Sequence, residues 1–208
     1  MTIINGYATL AQFRAIVVPS GVASTTSDTR YEDVVEAASR GIDRWTGRRF
    51  YGAAETRYYS ADEYNKLYID DYTSINNLKT DTGGNGVYNI TWTATTDYLT
   101  APYNAILEGR PYTSLERSSI GGKEFPPRIR KGVLVDAVFG YISGTAANAP
   151  DPIYQVTLLV AQRILERKDI PFGIAGSTEL GEQRVTVPDI SKDAEISAML
   201  KPYKRWMK

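Results

Sequence analysis

Between residues 28 and 50 the chain spaces its apolar side chains with a helical period that no other run matches. Tyr31, Val34, Val35, Ala38, Ile42 and Trp45 recur three and four apart, which lays a stripe along one face of an α-helix. A stripe of that length has to be covered by apolar surface from elsewhere in the chain. Thr29 followed by Glu32 has the spacing of a capping box and predicts the start, while Gly47 predicts a left-handed C-terminal turn. The opposite face carries Glu36, Arg40, Arg44 and Arg48, so positive charge collects at the end where the helix dipole favours it.

What can cover the stripe is bounded by composition. With 208 residues, 42% of them hydrophobic, the chain can bury one sizeable core or two small ones. No run reaches the ~20 apolar residues of a membrane span, and the N-terminus lacks the pattern of a secretion signal, so a soluble globular protein with no membrane partner is expected. Cysteine and histidine are both absent. Thiolate sites and disulfides are thereby excluded, as are the usual general base near neutral pH and the commonest nitrogen ligand for zinc. Lys plus Arg equals Asp plus Glu at 24 each, so contact with nucleic acid would have to come from local patches.

Ahead of the long helix, Thr9 and Gln12 form a second capping-box pattern, predicting a short helix over 9–16 with Leu10 and Phe13 on one side. Pro19 ends it, and a glycine, serine and threonine linker follows. After Phe50 the pattern changes to alternation rich in tyrosine and threonine. Strands are predicted over 56–60, 66–69, 87–93, 113–116 and 133–141. Tyr88, Ile90 and Trp92 share one face, as do Val133, Val135, Ala137, Phe139 and Tyr141, and the run Asp-Thr-Gly-Gly-Asn-Gly at 81–86 reads as a hairpin turn.

Helical spacing returns at Asp151 and Pro152, read as an N-cap and first helical residue, with Ile153, Val156, Val160 and Ile164 as the stripe and Leu159 and Ala161 widening it. Trp45 is expected to pack near residues 153–164. Residues 169–188, with glycines at 173, 176 and 181, read as a long excursion with one short strand-like run over 183–187. A last helix is predicted over 191–206, with Ile196, Met199, Leu200 and Tyr203 as its stripe and a basic tail. The predicted class is α+β: a small helical bundle built from both chain ends, 1–50 and 142–208, carrying an inserted antiparallel β subdomain, 51–141.

Three kinds of chemistry are weighed for the β part. The tyrosines form core and rim of a small sandwich, or Tyr58, Tyr59, Tyr88 and Trp92 present an aromatic platform, as in a carbohydrate-binding module or glycoside hydrolase accessory protein. The doublets Asp62–Glu63 and Asp70–Asp71 are the only candidates for paired carboxylates, but neighbours on a strand point to opposite faces. Glycines 84 and 86 lack the following helix that a phosphate cradle needs. No catalytic residue, cofactor site or metal site is predicted.

A set of short motifs runs through the chain in order. They are Tyr-Ala-Thr-Leu-Ala-Gln-Phe at 7–13, Ile-Asp-Arg-Trp-Thr-Gly-Arg-Arg-Phe at 42–50, Asp-Tyr-Leu at 97–99 with Pro102, and Val-Phe-Gly-Tyr at 138–141 before Pro152 and Ile153. Glu-Arg-Lys-Asp-Ile-Pro-Phe-Gly at 166–173 and Leu-Lys-Pro-Tyr-Lys-Arg at 200–205 complete them. In this the sequence resembles the head-tail connector (adaptor, or head completion) proteins of tailed bacteriophages and prophages, although small members of that family are little more than the helical bundle. The resemblance implies a structural virion protein, not an enzyme, assembled in the host bacterial cytoplasm. It implies a homo-oligomeric ring, usually a dodecamer, that binds beneath the portal protein, extends the DNA channel close to packaged DNA, and offers a platform to a stopper or tail-completion protein. On that basis Ile170, Pro171, Phe172, Tyr203, Lys204, Arg205 and Trp206 are expected at portal or subunit interfaces, ordering on assembly of a monomeric free protein. Arg40, Arg44 and Arg48 would line the channel if their face turned to the lumen, and otherwise form a solvated helix back with their stems packed.

Overall fold

The computed structural model describes residues 3–18, 25–166, 174–178, 181–184 and 193–205. The chain is α+β and divides into two compact units, Met1–Arg48 with Thr145–Lys208, and Arg49–Gly144. Among the described residues no helix is long and apolar enough to cross a membrane.

In the first unit, α1 (Leu10–Val17) opens with the predicted capping box. Thr9 accepts from the Gln12 amide at 3.2 Å, and the Gln12 side chain accepts from the Thr9 amide at 2.7 Å. Phe13 is buried with its ring edge-on to Tyr31, 5.7 Å between centroids. Helix α2 (Asp28–Thr46) buries Val34, Val35, Ala38 and Ile42, whereas Tyr31 and Trp45 at the stripe's edges are half-buried. Two polar residues, Ser39 and Thr46, join the buried face because their hydroxyls donate back to the carbonyls of Val35 and Ile42, each at 2.8 Å.

The start of α2 differs from the prediction. Thr29 already lies inside the first turn, and the N-cap residue is Ser27, which makes no side-chain cap bond. The first helical residue, Asp28, instead takes Arg14 of α1 at 2.7 and 2.8 Å, so a contact distant in sequence replaces the local box. The C-terminal end follows expectation: Gly47 is left-handed, with φ of 67°, and its amide donates to Asp43.

Helix α3 (Asp151–Glu166) packs on α2 and buries Ile153, Val156, Leu158, Val160 and Ala161. Its first helical bond runs from Tyr154 to the Pro150 carbonyl, which places the cap one residue before Asp151. Strands β7 (Ile174–Thr178) and β8 (Gly181–Arg184) pair as an antiparallel hairpin inside the segment expected to be nearly structureless, starting well before the predicted run at 183–187. Helix α4 (Ala194–Leu200) is shorter than predicted. Asp193 caps it by accepting from Glu195 and Ile196 and also pairs with Arg163 of α3. Pro202 then falls in a 3-10 turn, Lys201–Tyr203.

The second unit is an open antiparallel sheet of β1 (Ala53–Tyr59), β2 (Lys66–Thr80), β3 (Ile90–Thr91), β4 (Tyr98–Ala101), β5 (Tyr112–Arg117) and β6 (Val133–Phe139). The order is β1-β6-β2-β5-β4, with β3 also on β2. Strand β2 is its axis: the first half pairs with β5, the second with β6, and the register shifts where the halves meet near Tyr72. The doublet Asp70–Asp71, just past the predicted strand 66–69, lies within this strand. Asp70 accepts from Arg57 at 2.7 Å and from the Tyr59 hydroxyl at 2.9 Å, and the Asp71 carbonyl accepts from Gly140. Alternation along β6 is as predicted, with Val133, Val135, Ala137 and Phe139 buried. Of the strand predicted over 87–93 only Ile90–Thr91 pairs, and β4 was not predicted.

Candidate interaction surfaces

The three arginines of α2 are not equivalent. Arg40 is drawn into its own unit: it lies 3.1 Å from Asp43 and 3.6 Å from Glu36, donates to the Asn5 carbonyl at 2.6 Å, and sits over the Tyr7 ring. Tyr7 is itself fixed, its amide on Ser39 at 3.0 Å and its hydroxyl donating to Asp43. Arg40 therefore holds the N-terminal segment onto α2, a role the spacing of arginines could not reveal. Arg44 is exposed and Arg48 half-buried.

Of the expected interface residues, Ile170, Pro171, Phe172 and Trp206 lie outside the described residues. Tyr203, Lys204 and Arg205 are brought back to the end of α2. The Arg205 amide donates to the Thr46 carbonyl at 2.7 Å, one of those that a helix C-terminus leaves unsatisfied, and the Lys204 ammonium lies 5.2 Å from the centre of the Trp45 ring. The Lys204 ammonium, over a ring in the last turn of α2, stands where the helix dipole is negative. The tail as far as Arg205 is thus docked on its own chain. Burial, followed by the Asp151 carboxylate, pushes the Tyr203 phenol up.

In the sheet unit the aromatic residues divide. Trp92 is core: it stacks on Phe125 at 4.5 Å, and its Nε1 donates to Thr80 at 3.0 Å, which removes it from any exposed platform. Tyr59 turns its hydroxyl to Asp70. Tyr58 and Tyr88 remain together near the surface, their rings 5.6 Å apart.

The glycine-rich turn points its amides inward. Gly83, Gly84 and Gly86 donate to the Asp81 carboxylate at 2.9, 2.8 and 2.7 Å. Desolvation alone would raise that carboxyl's pKa, but the amides outweigh it and hold it below the usual range. The turn thus spends its glycine amides on its own carboxylate and does not offer them to a phosphate. Asp97 is tied similarly, by Lys123 at 2.6 Å and the Thr93 amide at 2.7 Å, and these keep its carboxyl low. Asp62 and Glu63 are exposed, and among the described residues no cluster of carboxylates could hold a metal ion.

Two exposed loops of this unit were not singled out in the sequence. Residues 102–111 fold on themselves through bonds such as Arg110 to the Ala105 carbonyl at 2.8 Å. Ala105 is buried beneath them, while Ile106 and Leu107 project, Leu107 being 88% exposed. Beside this loop runs a groove of about 290 Å3 lined by Ile75, Tyr98, Leu99 and Tyr103 among others. The second loop, 128–131, shows Arg128, Arg130 and Lys131 to solvent. Adjacent apolar residues before Glu-Gly-Arg, and Arg-Ile-Arg-Lys between prolines and glycine, were the available signals.

No family model and no curated protein matches the sequence. Solved structures do. The fold is that of protein chains in the gene transfer agent particle. A chain in the structure of the neck of the empty particle, computed with C6 symmetry, aligns with a TM-score of 0.59 at 16% identity, covering 97% of this chain and 91% of that one. A chain in the virion of the native particle aligns with a TM-score of 0.58 at 18% identity and the same coverage, 97% and 91%. At 97% coverage the likeness takes in the sheet unit as well as the helices, so the sheet belongs to the shared fold.

Proposed function

We propose that the protein is a structural component of the neck of a phage-type particle, a connector between head and tail. The observation that carries this reading is the fold likeness across both units to a chain found in a particle neck. The connector motifs along the sequence point the same way. In this reading residues 1–50 and 142–208 are the adaptor core and 51–141 is a subdomain inserted in it. Subunits form a ring under the portal, extend the DNA channel, and receive the stopper or tail-completion protein above the tail. Sixfold symmetry, as in the neck of the related particle, is satisfied by six or by twelve subunits.

The protein's work here is shape and adhesion, not catalysis. Of the carboxylates weighed for chemistry, Asp70 is engaged by Arg57 and Tyr59. Among the expected interface residues, Lys204 and Arg205 act first within the subunit, and 170–172 with Trp206 are left as the segments to meet portal or neighbour. Of the arginine row, Arg44 is the exposed member and the one to face packaged DNA.

Native mass spectrometry across a concentration series tests the ring. Assembly to six or twelve copies, alone or on portal-bearing heads, is the expected result. A protein that stays monomeric at high concentration and never associates with heads would contradict it.

A further inference from the structure

Cations of the sheet unit are mostly neutralised by its own carboxylates. Arg49, Arg57, Lys66, Arg110, Arg117 and Lys123 each lie within ion-pair distance of one. Arg128, Arg130 and Lys131 differ: all three are exposed, and none has an ion-pair partner among the described residues. They sit on a loop held in an unfavoured conformation, with φ of 68° at Arg128 and 56° at Lys131, a region that favours glycine. The surroundings enforce it. Gly132 donates to the Ile129 carbonyl at 3.2 Å, Lys131 donates its amide to Ser60 at 2.9 Å, and the Lys131 carbonyl accepts from the Tyr88 hydroxyl at 2.6 Å. Backbone polar groups are used to fix the loop while the three charged heads are left to solvent. Strain of this kind clusters at ligand clamps and other functional sites.

Tyr88 links the loop to an aromatic surface. Its ring lies against Tyr58, which is 51% exposed, so fixed cations and an accessible aromatic face share one corner of the unit. The fold brings the basic residues of 128–131 to this aromatic pair. Two counter-fields are present: Asp62 and Glu63 follow Ala61, which bridges to Pro127, and Asp81, whose amide donates to the Gly132 carbonyl at 2.8 Å, carries a carboxylate that acts on the Tyr88 phenol; among the described residues none of the three carboxylates is in ion-pair distance of the loop's cations.

We propose that loop 128–131, with Tyr58 beside it, is a contact site for the phosphate backbone of duplex DNA, engaged without regard to base sequence. Arginine and lysine heads on a rigid loop suit phosphate oxygens, and the ring face of Tyr58 suits the apolar face of a backbone sugar. The choice of duplex DNA as the polyanion rests on the neck reading. The site itself rests on the geometry of the sheet unit.

The test is fluorescence anisotropy of a short labelled duplex of random sequence with the full-length protein, titrated with NaCl. Wild type should bind with a Kd of about 10⁻⁴ to 10⁻⁶ M, weakening with salt by about 0.9 in log–log slope for each phosphate engaged. The triple variant Arg128→Gln, Arg130→Gln, Lys131→Gln should bind at least about tenfold more weakly with a flatter slope. Arg130→Gln alone, a single exposed change, should lose about 0.9 of slope and gives the answer should the triple variant fail to fold. Asp62→Asn with Glu63→Gln should tighten binding, and Arg110→Gln should leave it unchanged. Three outcomes overturn the site: loop variants that bind as wild type does, wild type that fails to bind at low salt, and polyglutamate competing as well as DNA, which would move the loop to an acidic protein partner. None of these bears on whether the protein resides in a particle neck.

Discussion

Gly47 shows most simply how one residue's backbone decides an element's end. Its φ of 67° is left-handed, yet a Cβ there would meet only Arg205 at an ordinary 3.7 Å. Gly47→Ala should therefore cost about 1–2 kcal/mol from conformation alone, measured by urea denaturation, with no loss of packing. Trp45→Ala should cost about 1–3 kcal/mol, below the value for a fully buried indole, because Trp45 is half-buried under Lys204. Asp81 makes a prediction in pH. Its carboxyl is held below the usual range in the fold, so its contribution to stability is present above the unfolded pKa of about 4 and is lost as pH falls through the lower folded value. Asp81→Asn should be less stable than wild type at pH 7 and should show a shallower loss between pH 4 and 2 in acid unfolding. An unchanged acid profile would mean that the amides of Gly83, Gly84 and Gly86 do not hold the ionised carboxylate.

At the scale of elements, the end of α2 and the C-terminal tail form one structure. Removing residues 202–208 deletes the Arg205 amide from the Thr46 carbonyl and the Lys204 head from Trp45. A loss of about 1 kcal/mol is expected, seen as a fall of ~2–4 °C in Tm, where a wholly free tail would leave melting unchanged. What the sequence showed of these elements follows from locality. The stripe of α2, the capping box of Thr9 and Gln12 and the alternation of β6 are short-range patterns, and they appear as read. The start of α2 was misread because Asp28 answers to Arg14, and β2 was cut short because Asp70 answers to Arg57 and Tyr59. The site residues were harder still: the use of Arg40 depends on Asn5 and Tyr7, and the basic loop becomes notable only when most of the unit's other cations are seen to be paired. Those are properties of contacts, and no spacing along the chain encodes them.

For the whole molecule, two units, one helical with both chain ends and one an open sheet, share their fold along nearly the full chain with a particle-neck protein. The proposed connector role needs a body that assembles and surfaces that meet unlike partners. The projecting Ile106 and Leu107 and the unpaired cations of loop 128–131 give the sheet unit surfaces of two different chemistries. The measurement that bears most directly on the neck assignment is immunogold electron microscopy of tailed particles made by the genome that encodes this chain, with an epitope added at its N-terminus. Gold confined to the junction of head and tail, in one position on each particle, is the result expected. Label on the capsid faces or tail tip, or particles that carry none while the tagged protein accumulates in the cell, would contradict the assignment.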